Sequence, residues 1–236
     1  MHWTSGVLGR NRLTAALAVL LAAAVGAGAQ APPAPAAPMV RFVVVLDAAH
    51  GGDDAGANLN GQPEKAFTLA LSVRLRSLLA ARGISVVTTR ETDVAVDPVR
   101  RAEIADHANA QACLSLHASE SGIGVHLFTS SLAPVQPALF NPWKTAQAAW
   151  VDRSLALAGV LNSALQHAGF NVTLGRTALP TIDSMTCPAV SVEIAPERAS
   201  GAASGAGSLA DPDYQSSIAD ALAAALVEWR AEGRQL

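Results

Sequence analysis

The sequence predicts a single α/β domain: a twisted, mainly parallel β-sheet flanked by helices, with its functional site at the carboxyl ends of the strands. Two observations lead to this fold class. Short runs rich in Val, Leu and Ile alternate with segments of helical periodicity along the chain, as in repeated strand–helix units. The length of 236 residues suits one domain, or two at most, at about 150 residues per domain.

The first 39 residues are expected to lie outside this domain. Residues 1–29 carry Arg10 and Arg12 without any acid, then an apolar run, and end in the small-residue triplet 27–29. This three-part pattern is typical of a secretory signal peptide. The apolar run is shorter than the ~20 residues that a membrane-spanning helix needs, so an uncleaved anchor is the weaker reading. The Pro- and Ala-rich residues 30–39 are predicted to be an extended linker, and residues 40–236 the folded domain.

The first elements of the domain follow from hydrophobic patterning. Residues 40–46 are β-branched and almost wholly apolar, which favours a strand buried on both faces. Residues 64–82 place Phe67 and Leu71 on one face of a helix. After the glycine that ends this helix, residues 84–89 form the next predicted strand.

Later elements continue the alternation. Asp97 followed by Pro98 is an N-cap signal and predicts a helix that reaches about Asn109. We expect a mobile loop at 199–208, because this segment holds only Ala, Gly and Ser. The remaining predicted elements are strands at 112–116, 125–129 and 189–194 and helices at 145–168 and 213–232.

Charge and cysteine content exclude several classes of protein. The net charge is −3, and Lys65 and Lys144 are the only lysines, so no basic surface for nucleic acid is expected. Two cysteines exclude a disulfide scaffold and a cysteine-only zinc site. Cys113 lies within the predicted strand 112–116, and Cys187 lies just before the predicted strand 189–194. They form a disulfide if those strands are neighbours, and are otherwise two small buried apolar side chains.

Three apolar runs end in residues that can bind metal or transfer protons. His50 follows the first run, His117 ends a second and Glu193 ends a third, while Glu64 opens the first helix. Because the carboxyl ends of parallel strands meet at one edge of a sheet, these groups should converge. Two histidines and a glutamate suit a catalytic zinc ion, and a second glutamate suits a general base. The sequence therefore favours a mononuclear zinc hydrolase.

At these residues the sequence resembles the zinc-dependent N-acetylmuramoyl-L-alanine amidases, the type 3 amidases that cleave bacterial peptidoglycan. The resemblance extends over nearly the whole domain, and its motifs follow the order of the family. They are Asp47-Ala-Ala-His50-Gly-Gly, Asn60-Gly61, Glu64-Lys65, Thr89-Arg90, Arg101, Ser115-Leu-His117-Ala-Ser119, Gly124-Val125 and Pro188-Ala-Val-Ser-Val-Glu193.

The resemblance implies roles for these residues. It assigns one zinc ion per chain to His50, Glu64 and His117, and the catalytic role to Glu193. Other roles are left open here. Asp47 either orients His50 or forms a turn at the end of its strand. Ser119 is a further candidate for substrate binding. Arg176 either meets the carboxylates of the substrate or pairs with a structural acid.

Departures from the family pattern put substrate fit and rate in question more than metal binding. Ala48 and Ala49 replace a Pro-Gly pair before the first histidine, and Ser119 replaces an asparagine. Residues 195–197 replace the Gly-Phe segment after the catalytic glutamate.

The implied function is hydrolysis of the amide bond between the muramoyl lactyl group and L-alanine. Two alternatives remain at this point: a wall-binding protein of the same fold with weak or no turnover, and a zinc carboxypeptidase acting on stem peptides. We expect an exported protein, periplasmic or wall-associated, with peptidoglycan as its partner, a protein activator as a second candidate partner, and no membrane span after signal cleavage.

Overall fold

The computed structural model describes residues 41–136, 142–197 and 207–233. The predicted signal peptide and linker and most of the predicted 199–208 loop lie outside the described residues. Within them, no helix is both long and apolar enough to cross a membrane. The elements in chain order are β1 Val43–Ala48, β2 Asn58–Leu59, β3 Gln62–Pro63, α1 Glu64–Ala81, β4 Ser85–Thr88, α2 Pro98–His107, β5 Ala112–Ala118, β6 Val125–Ser130, a 3₁₀ helix Trp143–Ala149, α3 Val151–His167, β7 Val172–Thr177, α4 Pro180–Asp183, β8 Ala189–Ile194 and α5 Pro212–Glu232.

A six-stranded sheet organises the domain, in the order β4-β1-β5-β8-β6-β7. The first four strands of this order are parallel, β6 is antiparallel to β8, and β7 is parallel to β6. The prediction of a mainly parallel sheet flanked by helices is therefore confirmed. The carboxyl ends of β6 and β7, however, lie at the edge of the sheet opposite to those of β1, β5 and β8.

Helices cover both faces of the sheet. On one face, α1, α3 and α5 pack their leucines against Leu46, Leu114 and Val192 in the larger apolar cluster. On the other face, α2 and α4 cover Val45 and Cys113 in a smaller cluster. Alternate strand residues point to opposite faces, so both clusters come from the same strands.

The two cysteines form a disulfide, with their Cα atoms 6.3 Å apart. The bridge joins the start of β5 to the segment just before β8, whose strands are hydrogen-bonded neighbours. Of the two alternatives left by the sequence, the structure therefore has the disulfide and not two separate buried thiols.

Three element predictions need correction. The strand β7 was not predicted, because its residues are mostly exposed and show no hydrophobic alternation. The predicted helix at 145–168 is instead a 3₁₀ helix followed by α3, and the non-helical Thr145 lies inside the first of these. The two-residue strands β2 and β3 form a small hairpin just before α1.

Candidate metal centre and active site

The sheet aligns two of the predicted site residues on adjacent strands. His117 of β5 and Glu193 of β8 are register partners near the carboxyl ends of their strands, and His126 of β6 is the partner of Glu193 on the other side. Register partners point to the same face of a sheet, so the three side chains lie in one row. This row faces the side covered by α2 and α4. His117 lies four residues after Cys113 on β5 and so points to the same face, and Cys113 belongs to the cluster on that side.

His50 reaches the same edge from the loop after β1. Its backbone is left-handed, with φ 62°, and Gly51 and Gly52 also have positive φ. Ala48 and Ala49 are not among the residues of positive φ. The turn therefore needs no glycine at positions 48 and 49, where the sequence departs from the family pattern. The backbone of positive φ begins only at His50.

Glu64 is brought to the histidines by the hairpin β2–β3, which leads directly into α1. Its backbone N–H donates to the carbonyl of Ala57 at 2.9 Å. Gly56 passes so close that a Cβ atom there would lie 2.6 Å from the His50 ring and 2.7 Å from Glu64 Oε2. Only glycine allows this approach, because any side chain would enter the space between the two groups.

The three predicted ligands form a compact cluster. The Nε2 atom of His50 lies 3.1 Å from Glu64 Oε2, and the Nδ1 atom of His117 lies 3.1 Å from Glu64 Oε1. One ligand atom from each of the three residues lies within 4.8 Å of the other two. Two imidazole nitrogens and a carboxylate oxygen are the donor set of a catalytic zinc site, which leaves a coordination position open.

The environment of Glu64 favours its charged form. The side chain is buried, with 4% of the residue exposed, and its oxygens accept hydrogen bonds from the N–H groups of Ala57 and Ala118. Burial alone would raise the pKa of Glu64. The hydrogen bonds from His117 and the two backbone groups, with the charge of His50, outweigh burial and hold the pKa below its ordinary value. Glu64 is therefore a carboxylate at neutral pH, as a metal ligand must be.

Asp54, not Asp47, contacts His50. Asp54 Oδ2 lies 2.9 Å from His50 Nδ1, and this hydrogen bond is the main reason that the pKa of Asp54 lies below its ordinary value. The expectation that Asp47 orients His50 or forms a turn is corrected by its contacts. The carboxylate of Asp47 is buried and binds Arg101, Thr89 and Ser115 instead.

Two buried arginines hold the backbone that carries His50. Arg101 donates to the carbonyls of Ala48 and His50, both at 2.7 Å, and to Asp47 Oδ1 at 2.6 Å. Arg90 donates to the carbonyls of Ala48 and Ala49. Both arginines appeared in the sequence motifs, but nothing in their spacing indicated that they bind these carbonyls.

Glu193 differs from Glu64 in having no hydrogen-bond partner on its carboxylate among the described residues. It is half-buried, at the end of β8 beside His117. Its oxygens are free to contact water or substrate. The two glutamates therefore offer different chemistry: one is enclosed within the cluster, and the other lies beside it.

The two candidate substrate-binding residues are placed differently. Ser119 lies two residues beyond His117, where its N–H donates to the carbonyl of Ile194. Arg176 does not reach the cluster. It lies three residues along β7 from Thr173, the partner of His126, which is about 10 Å at the usual strand rise. Its guanidinium donates to the carbonyls of Ser130 and Leu132, and no acid within the described residues forms an ion pair with it.

A cavity of about 280 Å³ opens beside the cluster. Its lining includes His50 and His117, the α4 residues Pro180 to Ile182, and Ser115 and Ser191. A molecule bound in the cavity would therefore contact two of the three predicted ligands.

Comparisons with known proteins agree with this architecture. A family model described as N-acetylmuramoyl-L-alanine amidase matches residues 44–228. The amidase AmiA of Escherichia coli is 43% identical over 79 residues, which is 33% of this chain and 27% of AmiA. The chain thus spans about a quarter of that relative's length.

Solved structures share the fold over most of the chain. The catalytic domain of CwlV, an N-acetylmuramoyl-L-alanine amidase from Bacillus (Paenibacillus) polymyxa var. colistinus, superposes with a TM-score of 0.62 at 26% identity, covering 80% of this chain and 98% of that domain. The CwlD amidase of Clostridioides difficile, solved in complex with the GerS lipoprotein, gives a TM-score of 0.59 at 20% identity, covering 81% and 99%.

Proposed function

The chain belongs to the N-acetylmuramoyl-L-alanine amidase family, and on that premise we propose that it hydrolyses the amide bond between the muramoyl lactyl group and L-alanine in peptidoglycan. The observation that carries the proposal is the cluster of His50, Glu64 and His117, whose ligand atoms lie within 4.8 Å of one another. Glu193 lies beside this cluster as the register partner of His117. The family match covers all four residues.

One zinc ion per chain is proposed as the cofactor, held by His50 Nε2, the carboxylate of Glu64 and His117 Nδ1. The residues fit a zinc ion because Glu64 is charged at neutral pH and faces both ring nitrogens. When bound, zinc supplies Lewis acidity that polarises the scissile carbonyl and activates water at neutral pH.

Glu193 is proposed to move the proton. Its free carboxylate accepts a proton from the water that attacks the amide carbonyl, and returns it to the nitrogen of L-alanine. The new carbon–oxygen bond forms first, and the carbon–nitrogen bond breaks once the nitrogen has received the proton, leaving a lactyl carboxylate and a free amine. Positioned groups of this kind contribute about 10² to 10⁴ in rate.

The placement of Arg176 favours an amidase over the carboxypeptidase alternative. A carboxypeptidase on stem peptides needs a cation near the metal to bind the terminal carboxylate. Arg176 was the candidate, and it lies on a strand whose carboxyl end is at the opposite edge of the sheet. Arg101 is near the cluster, but it is buried and bound to Asp47 and backbone carbonyls.

Export and partners complete the proposal. The Cys113–Cys187 disulfide supports action outside the cytoplasm, because disulfides persist in oxidising compartments. Together with the predicted signal peptide at 1–29, it favours the periplasm or the cell wall, with peptidoglycan as substrate. A protein activator is proposed as a further partner, and the complex of CwlD with the GerS lipoprotein shows that a protein of this fold can bind another protein.

Product analysis tests the proposal. The purified zinc-loaded protein is incubated with peptidoglycan and isolated muropeptides, with Glu193→Gln as control, and the products are identified by mass spectrometry. We expect intact stem peptides with a free L-alanine amine. Release of a single C-terminal amino acid would assign the carboxypeptidase instead. Binding to peptidoglycan without any product would assign the wall-binding alternative.

A further inference from the structure

We infer that Asp47 and Ser115 form a buried relay that positions His117 for metal binding, an inference that rests on the metal site proposed above. Asp47 of β1 and Ser115 of β5 are register partners on adjacent strands. Ser115 Oγ donates to Asp47 Oδ2 at 2.7 Å. His117 lies two residues further along β5, and its Nε2 atom is 3.4 Å from the same hydroxyl oxygen.

The hydrogen of Ser115 sets the direction of the relay. A serine hydroxyl carries one hydrogen, and the carboxylate of Asp47, paired with Arg101, acts only as an acceptor. The hydroxyl hydrogen therefore goes to Asp47, and Oγ can only accept from His117. Nε2 would therefore carry the ring hydrogen once a metal ion at Nδ1 replaced the hydrogen bond from Nδ1 to Glu64.

That tautomer is the one that binds a metal in the cluster. With the hydrogen on Nε2, the lone pair of the ring is on Nδ1, the atom that lies 3.1 Å from Glu64 Oε1. The 3.4 Å contact is at the long end for a hydrogen bond. Coordination at Nδ1 withdraws electron density from the ring and strengthens Nε2–H as a donor, as in other carboxylate–histidine–metal arrangements.

The relay has a rigid base. Asp47 is 2% exposed, and its two oxygens bind Arg101 Nη1 at 2.6 Å, Thr89 Oγ1 at 2.7 Å and Ser115. The other histidine has a weaker support, because Asp54, which contacts His50, has 66% of its side chain exposed. The relay therefore fixes one ligand from the protein interior and leaves the other to a solvated group.

Ser191 provides a matched control for Ser115. The two serines are register partners on β5 and β8, are both 5% exposed and line the same cavity. Among the described residues, none hydrogen-bonds the Ser191 hydroxyl. Replacing either serine by alanine removes the same atom from the same environment, but only Ser115→Ala breaks the relay.

The test is zinc affinity, measured by competition with a chromophoric chelator at neutral pH. We expect Ser115→Ala to bind zinc about 10- to 100-fold more weakly, the usual effect of removing a partner of a metal-bound histidine. Ser191→Ala should stay close to the wild-type affinity. The pair Ser115→Thr and Ser115→Val keeps shape constant, and only the valine variant should weaken binding. The melting temperature of each metal-free variant shows separately whether it is folded. If Ser115→Ala is unfolded, the comparison of Ser115→Thr with Ser115→Val replaces it as the test.

Two results would overturn the relay. One is wild-type zinc affinity in both Ser115→Ala and Ser115→Val; the other is an equal loss in Ser191→Ala. A wild-type protein that binds no zinc would remove the proposed metal site together with the relay. A protein that shows the expected affinities but cleaves no muropeptide would contradict the amidase proposal alone.

Discussion

The two ends of the central strands β1, β5 and β8 are built for different purposes. At the amino ends, Val45, Cys113 and Ala189 are aligned in one apolar row, with the disulfide beneath α2 and α4. At the carboxyl ends, the row is His117 and Glu193, with His50 and Glu64 beside them. The amino end is apolar and cross-linked, whereas the carboxyl end gathers charge and carries the left-handed backbone of His50.

The change from the apolar, cross-linked end to the charged end takes place within the single strand β5. On the same face of β5, Cys113 belongs to the disulfide, Ser115 binds Asp47, and His117 joins the cluster of proposed metal ligands. Alternation along a strand thus connects a stabilising end to a reactive end in five residues. Substitutions at the two ends should therefore separate stability from chemistry, and the predictions that follow test that separation.

The largest effect is expected from His117→Ala. Loss of one of three ligands should remove most of the zinc and with it the activity, while the metal-free protein keeps its melting temperature because His117 is partly exposed. Metal analysis after dialysis measures this. His126→Ala, in the same row but outside the cluster, should keep its zinc. Full zinc stoichiometry in His117→Ala would remove this residue from the ligand set.

Arg101→Leu should show that the reactive end also contributes to stability. The substitution leaves Asp47 buried without its cation, which costs about 3–5 kcal/mol. Urea unfolding gives the free energy. Arg100→Leu is the control, because the exposed pair of Arg100 with Glu103 should contribute at most about 1 kcal/mol. Equal losses in both variants would contradict the buried role of Arg101.

Removing the disulfide should affect stability alone. The Cys113→Ala/Cys187→Ala double variant opens a bridge between residues 74 apart in sequence, which should cost about 2–4 kcal/mol. Zinc content and the turnover of muropeptides should stay at wild-type levels, because the bridge lies at the other end of β5. A variant of unchanged stability that loses zinc would reverse the proposed division between the two ends.

The smallest effect is a pH dependence at the rim of the site. Asp93 accepts hydrogen bonds from Lys65 and from the N–H of Gly52, and these hold its pKa below the ordinary value of 3.8. A lowered carboxyl pKa stabilises the folded state above the ordinary value, and this contribution is lost as the pH falls through the lowered pKa. Asp93→Asn should therefore melt slightly below wild type at pH 7.

The difference in melting temperature between wild type and Asp93→Asn should shrink as the pH is lowered from 4 toward about 2. Asp53→Asn is the control, because no hydrogen bond to the Asp53 side chain is seen within the described residues. A difference that is independent of pH would show that the Asp93 carboxylate does not act through its charge.

The fold could be predicted where burial produces a pattern. The strands β1, β5 and β8 are buried on both faces and appear in the sequence as continuous apolar runs. The strand β7 is mostly exposed and interrupted by Gly175, so hydrophobicity gave no signal there. The direction of β7 also decides the position of Arg176, whose role the sequence left open between contact with the substrate and an ion pair with a structural acid.

The convergence of His50, Glu64 and His117 could be predicted, but the residues that support them could not. His50, His117 and Glu193 were recognised because each follows an apolar strand, and Glu64 because it opens a helix. Asp54 lies in a loop beside Asp53, a residue of the same type, and no spacing rule distinguishes the two. The contacts of Asp47 depend on the pairing of β1 with β5, which only the folded chain establishes.

The paired variants Glu64→Gln and Glu193→Gln test the central claim most directly, with zinc content and muropeptide hydrolysis measured under the same conditions. The account predicts that Glu64→Gln loses zinc and activity together, because it loses a ligand. Glu193→Gln should keep its zinc and its fold while turnover falls by at least about 100-fold, because an amide cannot accept the proton. Hydrolysis at a near wild-type rate by Glu193→Gln with zinc in place would contradict the proposed mechanism.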